Sequence, residues 1–105
     1  MPEDLLTRDA VCQRLQISRT LLQRYEQTGL VAPRTVGSEV GYGRAEVRRA
    51  WAVVSLHRDL GINLAGVEAV FRLRAQLDAA ERQMRMLVDF IENSLAQQRE
   101  GPEDS

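Results

Sequence analysis

The sequence contains no lysine, a single cysteine, a single histidine and three prolines among 105 residues. All 14 basic residues are arginine, which reads as a compositional bias and not as chemistry. One cysteine excludes an intramolecular disulfide, and with one histidine it also excludes a zinc site of ordinary ligand spacing. Cys12 falls on a predicted helix and reads as a small buried hydrophobe, because no second thiol exists to resolve an oxidised one. His57 lies mid-helix and is expected to serve packing or the surface. No apolar run approaches the roughly eighteen residues of a membrane span, and none follows Met1, so a soluble cytoplasmic protein is expected. A catalytic site would need a nucleophile beside a base, paired carboxylates in a pocket, or a phosphate-cradling loop. None of these patterns is present, so no catalytic residue, metal, cofactor or small-molecule substrate is expected.

Charge is nearly balanced, with a net charge of −1, and it is divided unevenly. Through Ile62 there are nine Arg against seven acids, while the remainder has five against eight. A domain that grips nucleic acid usually carries a clear basic footprint. Any DNA binding here must therefore come from local Arg placement.

The stretch Ser18 to Val47 organises the chain. Ser18 can cap a helix over Arg19 to Gln27, and Gly29 can close it in a left-handed conformation. Pro33 suits an edge strand or turn, and Gly37, Gly41 and Gly43 predict a hairpin between Arg34 and Tyr42. Ahead of this unit, an acidic leader from Met1 to Leu6 precedes Thr7, a plausible cap for a helix over Arg8 to Leu15. Ala10, Val11, Leu15 and Ile17 should meet Leu22 and Tyr25 across a tight turn, as in a helix-turn-helix.

After the hairpin, Arg44 to Leu60 reads as the central core helix, with Val47, Ala50, Trp51, Val53, Val54, Leu56 and Leu60 as apolar positions and Trp51 as a core anchor. Gly61 stops it, and Asn63 caps the next helix with Ile62 and Val67 as a hydrophobic staple. From Leu64 no proline occurs until Pro102. Within that long helix Val70, Leu73, Leu77, Ala80, Met84, Leu87 and Ile91 alternate steps of three and four, a heptad seam. A seam left in water predicts pairing with a second copy, as an antiparallel coiled-coil homodimer. The expected organisation is a winged helix-turn-helix domain over 1–62, a dimerisation helix over 63–100 and a disordered acidic tail over 101–105, in a mainly α fold.

The segments QISRTLLQRYEQTGLVAPRT, GYGRAEVRRA and LHRDLGINLAGVEAVFRL together resemble the MerR superfamily, over about residues 5 to 95. DLGINLAGVE is similar to its small stand-alone members tied to chaperone systems, the CbpM chaperone modulators and the HspR heat-shock repressors. The resemblance implies a DNA-reading helix bearing Ser-x-x-Thr-Leu-Arg-x-Tyr-Glu and a wing with an Arg pair before a Tyr. Ser18, Tyr25 and Glu26 match. Leu21 and Gln23 stand where Thr and Arg are expected, and Val40 and Gly41 where the Arg pair would be.

These departures favour the CbpM branch, for which the resemblance implies binding to the J-domain of a DnaJ-like co-chaperone and tuning of Hsp70. Glu68, Asp78 and Glu81, with Asp89 and Glu92, could face the basic helix of such a domain. The alternative is a dimeric MerR- or HspR-type DNA-binding regulator contacting DNA through Arg19, Gln23, Arg24, Tyr25 and Arg34.

Overall fold

Capping chemistry sets the first helices of the computed structural model, which describes residues 4–100, with Glu100 described by its backbone alone. The predicted tail from Gly101 to Ser105, and Met1 to Glu3 of the leader, lie outside the described residues. Helix α1 (Arg8–Leu15) starts where the Thr7 hydroxyl accepts from the Ala10 amide at 3.1 Å. Helix α2 (Arg19–Gln27) starts where the Ser18 hydroxyl accepts from the Leu21 amide at 3.0 Å. Each satisfies a donor that the first helical turn would otherwise leave orphaned. Between them Gln16 takes the left-handed conformation, and the Ile17 amide donates back to the Cys12 carbonyl. Gly29 likewise adopts φ 79° and releases the chain from α2.

The predicted hairpin is present as β1 (Arg34–Val36) and β2 (Glu39–Gly41), antiparallel, with Arg34 opposite Gly41 and Val36 opposite Glu39. Gly37 and Ser38 form its two-residue loop, and Gly37 supplies the positive φ at the first loop position. The leader contributes what periodicity did not foretell. Leu6 and Tyr42 exchange both backbone hydrogen bonds at 2.8 Å, so the chain entering α1 pairs with the chain leaving the hairpin. A Cβ on Gly41 would stand 2.7 Å from the Leu6 carbonyl oxygen and 2.8 Å from the Leu5 Cβ. Only a bare backbone fits between the two segments there.

Helix α3 (Arg44–Val54) begins where the Glu46 side chain accepts from the Gly43 amide at 2.9 Å. Ala50, Val53 and Val54 enter the core with Val11, Leu15, Leu22, Leu30 and Val31. Two expectations for this helix are corrected. It does not run on as α-helix to Leu60, because Ser55–Asp59 widens into a π-helical turn. Trp51 is not a core anchor: it is 58 % exposed, about 100° around α3 from the buried Ala50, and Leu60 is exposed too. The buried stripe of this helix is made of small and β-branched side chains, Ala50, Val53 and Val54. After the π turn Gly61 reverses the chain with φ 75°, and Asn63 Oδ1 accepts from the Gly66 amide at 2.8 Å to start α4 (Leu64–Glu100).

The chain forms two compact units, divided between Glu68 and Ala69. The division lies inside α4, not ahead of it, because Val67 in its first turn is fully buried. In the second unit the seam positions Val70, Leu73, Leu77, Met84, Leu87 and Ile91 are all exposed in the single chain. Ala80 is exposed with them.

Gly41→Ala should lower stability by about 1–3 kcal/mol, since backbone on both sides must shift to admit the methyl group. Urea denaturation compared with Gly37→Ala, whose Cβ meets no atom within 4 Å, separates this steric cost from strain at a positive φ.

Candidate functional site

Helix α2 turns one side to the core and the other to solvent, and the two sides do different work. Leu22 and Tyr25 face inward. Tyr25 has no exposed surface; its hydroxyl hydrogen-bonds with Nδ1 of His57 at 2.8 Å, and the two rings meet edge-on at 5.5 Å. The expectation of Tyr25 as a DNA contact is therefore corrected: its ring is enclosed, and it ties α2 to the π turn. That turn has a second anchor, since Arg58 donates to the Leu15 and Gln16 carbonyls at 3.2 and 2.7 Å and satisfies the end of α1.

Glu26 joins three segments. Its carboxylate accepts from Nε of Arg8 on α1 at 3.0 Å and from the Tyr42 hydroxyl, after β2, at 2.5 Å. The Glu26 hydrogen bond and charge raise the Arg8 guanidinium pKa further. Burial, and then the hydrogen bond to Glu26, push the Tyr42 phenol far above its ordinary value. Burial raises Tyr25 in the same direction. The Cys12 thiol is also pushed up by burial, and its sulfur lies 3.7 Å from the Ser18 carbonyl oxygen. Cys12 is thus a packed, protonated thiol.

The outward side of α2 presents Arg19, Thr20, Gln23, Arg24 and Gln27, all exposed and none acidic. Arg19 pairs with Asp9 of α1 at 2.5 Å. In the hairpin, Arg34 lies 3.7 Å from the Glu46 carboxylate. Val36, Glu39 and Val40 are exposed there, so the predicted wing offers apolar and acidic groups. Of the acids on α4, Glu68, Asp78 and Glu81 are all exposed. Helical spacing puts Asp78, Glu81, Asp89 and Glu92 on one side, but Arg82 and Arg85 follow Asp78 and Glu81 by four residues on that same side. Glu68 points elsewhere by about 60° or more at about 100° per residue. The structure thus groups the α2 candidates Arg19, Gln23 and Arg24, holds Arg34 beside Glu46, and interleaves the acids with arginine.

Sequence reasoning missed the roles of Arg8, Glu26, Tyr42 and Arg58. Glu26 and Tyr42 were visible as motif letters, but no local signal indicates that they bond to one another. Among the described residues no cluster of three His, Cys, Asp or Glu could hold a metal ion, and no helix is long and apolar enough to cross a membrane. The family model described as MerR HTH family regulatory protein matches residues 6–89. No curated protein matches the chain.

Tyr25 and Tyr42 keep their protons in the folded state at a pH where the unfolded chain, with tyrosines near the ordinary value of about 10, loses them. Their contribution is therefore complete below about pH 10 and lost as pH rises beyond it. Urea midpoints should fall as pH rises above about 10. Tyr42→Phe should cost about 1–2 kcal/mol at neutral pH and make that alkaline fall shallower.

Proposed function

The chain belongs to the MerR HTH family of regulatory proteins, and we propose that within it the chain works by gripping a protein, the J-domain of a DnaJ-like co-chaperone, to tune Hsp70 activity. The supporting observation is the hairpin. Phosphate binding relies on cationic side chains that reach the DNA backbone. Here the one hairpin arginine stands beside Glu46, and the surface around it is Val36, Glu39 and Val40. A mixed apolar and acidic strand pair suits a protein surface with basic groups better than it suits a phosphate backbone. On α4, Glu68, Asp78 and Glu81 offer further acidic groups of their own, moderated by the neighbouring arginines.

In this reading the protein is a homodimer. A helix of 37 residues with an exposed heptad stripe, including Leu77 and Met84 each 64 % exposed, leaves a continuous apolar seam in water. Antiparallel pairing of Val70 to Ile91 with the same residues of a second copy removes it. We place the dimer in the cytoplasm, where DnaJ-like co-chaperones act.

A DNA-binding reading has one observation in its favour, the acid-free outer side of α2. There Arg24 can reach a phosphate and Gln23 can read an adenine edge.

Immobilised protein offered an isolated J-domain and fragmented genomic DNA at about 150 mM salt, where weak phosphate binding is suppressed, decides between them. The expected result is J-domain retention without DNA enrichment, unaffected by Arg24→Glu and weakened by Asp78→Arg with Glu81→Arg. Enrichment of discrete DNA fragments that Gln23→Ala or Arg24→Glu abolishes, without J-domain retention, would replace this reading with the DNA reader. Separately, Leu77→Glu with Leu87→Glu should convert the dimer to a folded monomer in sedimentation, because both side chains are exposed within one chain.

A further inference from the structure

Met86 and Phe90 are the most exposed large apolar side chains of α4 among the described residues, at 70 % and 68 %. Neither belongs to the heptad seam. At about 100° per residue, Met86 stands about 100° or more from every seam position and Phe90 about 60° or more. A two-stranded coil closed along Val70 to Ile91 therefore leaves Met86 in water and covers at most one edge of Phe90. Ala75, exposed, and Ala79, half-buried, lie on the same side of the helix. The four residues share a sector of about 60°, and Asp78, Glu81 and Asp89 fall outside it. The stripe is thus neutral, with two small residues at its start and two bulky ones at its end.

We infer that this side of α4 is a second self-association surface, on which another copy of the chain lies antiparallel about a two-fold axis passing between Arg82 and Gln83. That axis sets Met86 of each helix beside Ala79 of the other, and Phe90 beside Ala75. Both pairs have the same centre, so one register makes both at once. Each bulky side chain then enters the recess left by an alanine, the alternation of large and small that lets facing helices interdigitate. Symmetry repeats every contact, so two Met and two Phe leave water together. Arg82 flanks the axis on one side, where Asp78 one turn earlier on its own helix offsets its charge. Gln83 flanks it on the other. A phosphate backbone or the basic helix of a J-domain is a poor match, because the stripe offers the first no cation and the second no carboxylate. The stripe and the seam are centred about 140° apart, so one helix can hold both contacts. The surface goes beyond the seam dimer of the proposed function and uses none of its positions.

Sedimentation velocity of the full chain across a wide concentration range tests it. Dimers are expected when dilute, because the seam is the longer contact, with tetramers and larger species at high concentration, because each seam dimer carries a stripe on both helices. Ala79→Glu and Met86→Arg should each abolish the larger species. The double variant, in which the two new charges face one another across the axis, should regain them. Circular dichroism checks that α4 stays helical in all three. The Leu77→Glu, Leu87→Glu variant, monomeric when dilute, should dimerise at the same high concentrations through the stripe alone. A wild-type chain that is monomeric when dilute, and whose pairing at high concentration Met86→Arg abolishes, would count against the seam and support the stripe. Larger species that never form, that survive both single substitutions, or that the double variant does not regain would overturn the proposal. Retention of the J-domain that Met86→Arg abolishes would also overturn it, by giving the stripe to that partner.

Discussion

The carboxylate of Glu26 is the joint on which the first unit depends. Helices α1 and α2 have eight and nine residues and the strands three each, lengths at which no element is stable alone in water. Packing of Val11, Leu15, Leu22 and Val53 supplies the general attraction, but it does not by itself fix where the hairpin meets the helices. Glu26, with its side chain 17 % exposed, must have partners once withdrawn from water, and it finds them on α1 and beyond β2. Removing either partner leaves a largely enclosed charge half-satisfied, which costs more than the lost bond alone. The Leu6 and Tyr42 backbone pair lies beside that joint, so the same tyrosine anchors the hairpin through both its main chain and its hydroxyl.

Function and framework are consequently carried by different residues of one short helix. Tyr25 and Glu26 are spent on internal bonds, so their presence reports the fold and is silent about DNA. Arg19, Thr20, Gln23, Arg24 and Gln27 have no such duty beyond the pairing of Arg19 with Asp9, and they can change without loosening the core. The same division holds in the hairpin. Gly41 is constrained by the backbone of Leu6, while Val36, Glu39 and Val40 face solvent. A regulator of this architecture can alter what it binds at low cost to its stability, because the two sets of side chains do not share partners.

What could be read from the sequence follows from the range of the interactions. Thr7, Ser18, Gly29, Gly61 and Asn63 act within a few residues of themselves, so the helix limits over Arg8–Leu15 and Arg19–Gln27 and the start at Leu64 were legible in the letters. The hairpin was legible through Gly37 for the same reason. Glu26 with Tyr42, Tyr25 with His57, and Arg58 with the end of α1 join residues 16, 32 and 42 or more positions apart, and no local pattern announces them. Trp51 failed for a related reason. Helical period assigns a face only when the apolar residues are few, and α3 together with the π turn has enough of them that the indole's side was ambiguous. Of the candidate site, the exposed α2 residues were legible as a group. The enclosure of Tyr25 was not, because it depends on His57.

The acids of α4 show how counting charge can mislead. Composition alone makes the second half acidic, with five Arg against eight acids after Ile62, which invites a basic partner. Placed on the helix, Asp78 and Glu81 each meet an arginine four residues on, in the orientation that a helix favours, and the field they project beyond about one Debye length is largely cancelled. On α2 the outer side carries no acid although the whole chain is net negative. Partner choice is governed by such local imbalances over roughly 10 Å, the distance across which salt leaves charge visible. The two regions of this chain therefore present more independent binding chemistry than a net charge of −1 suggests.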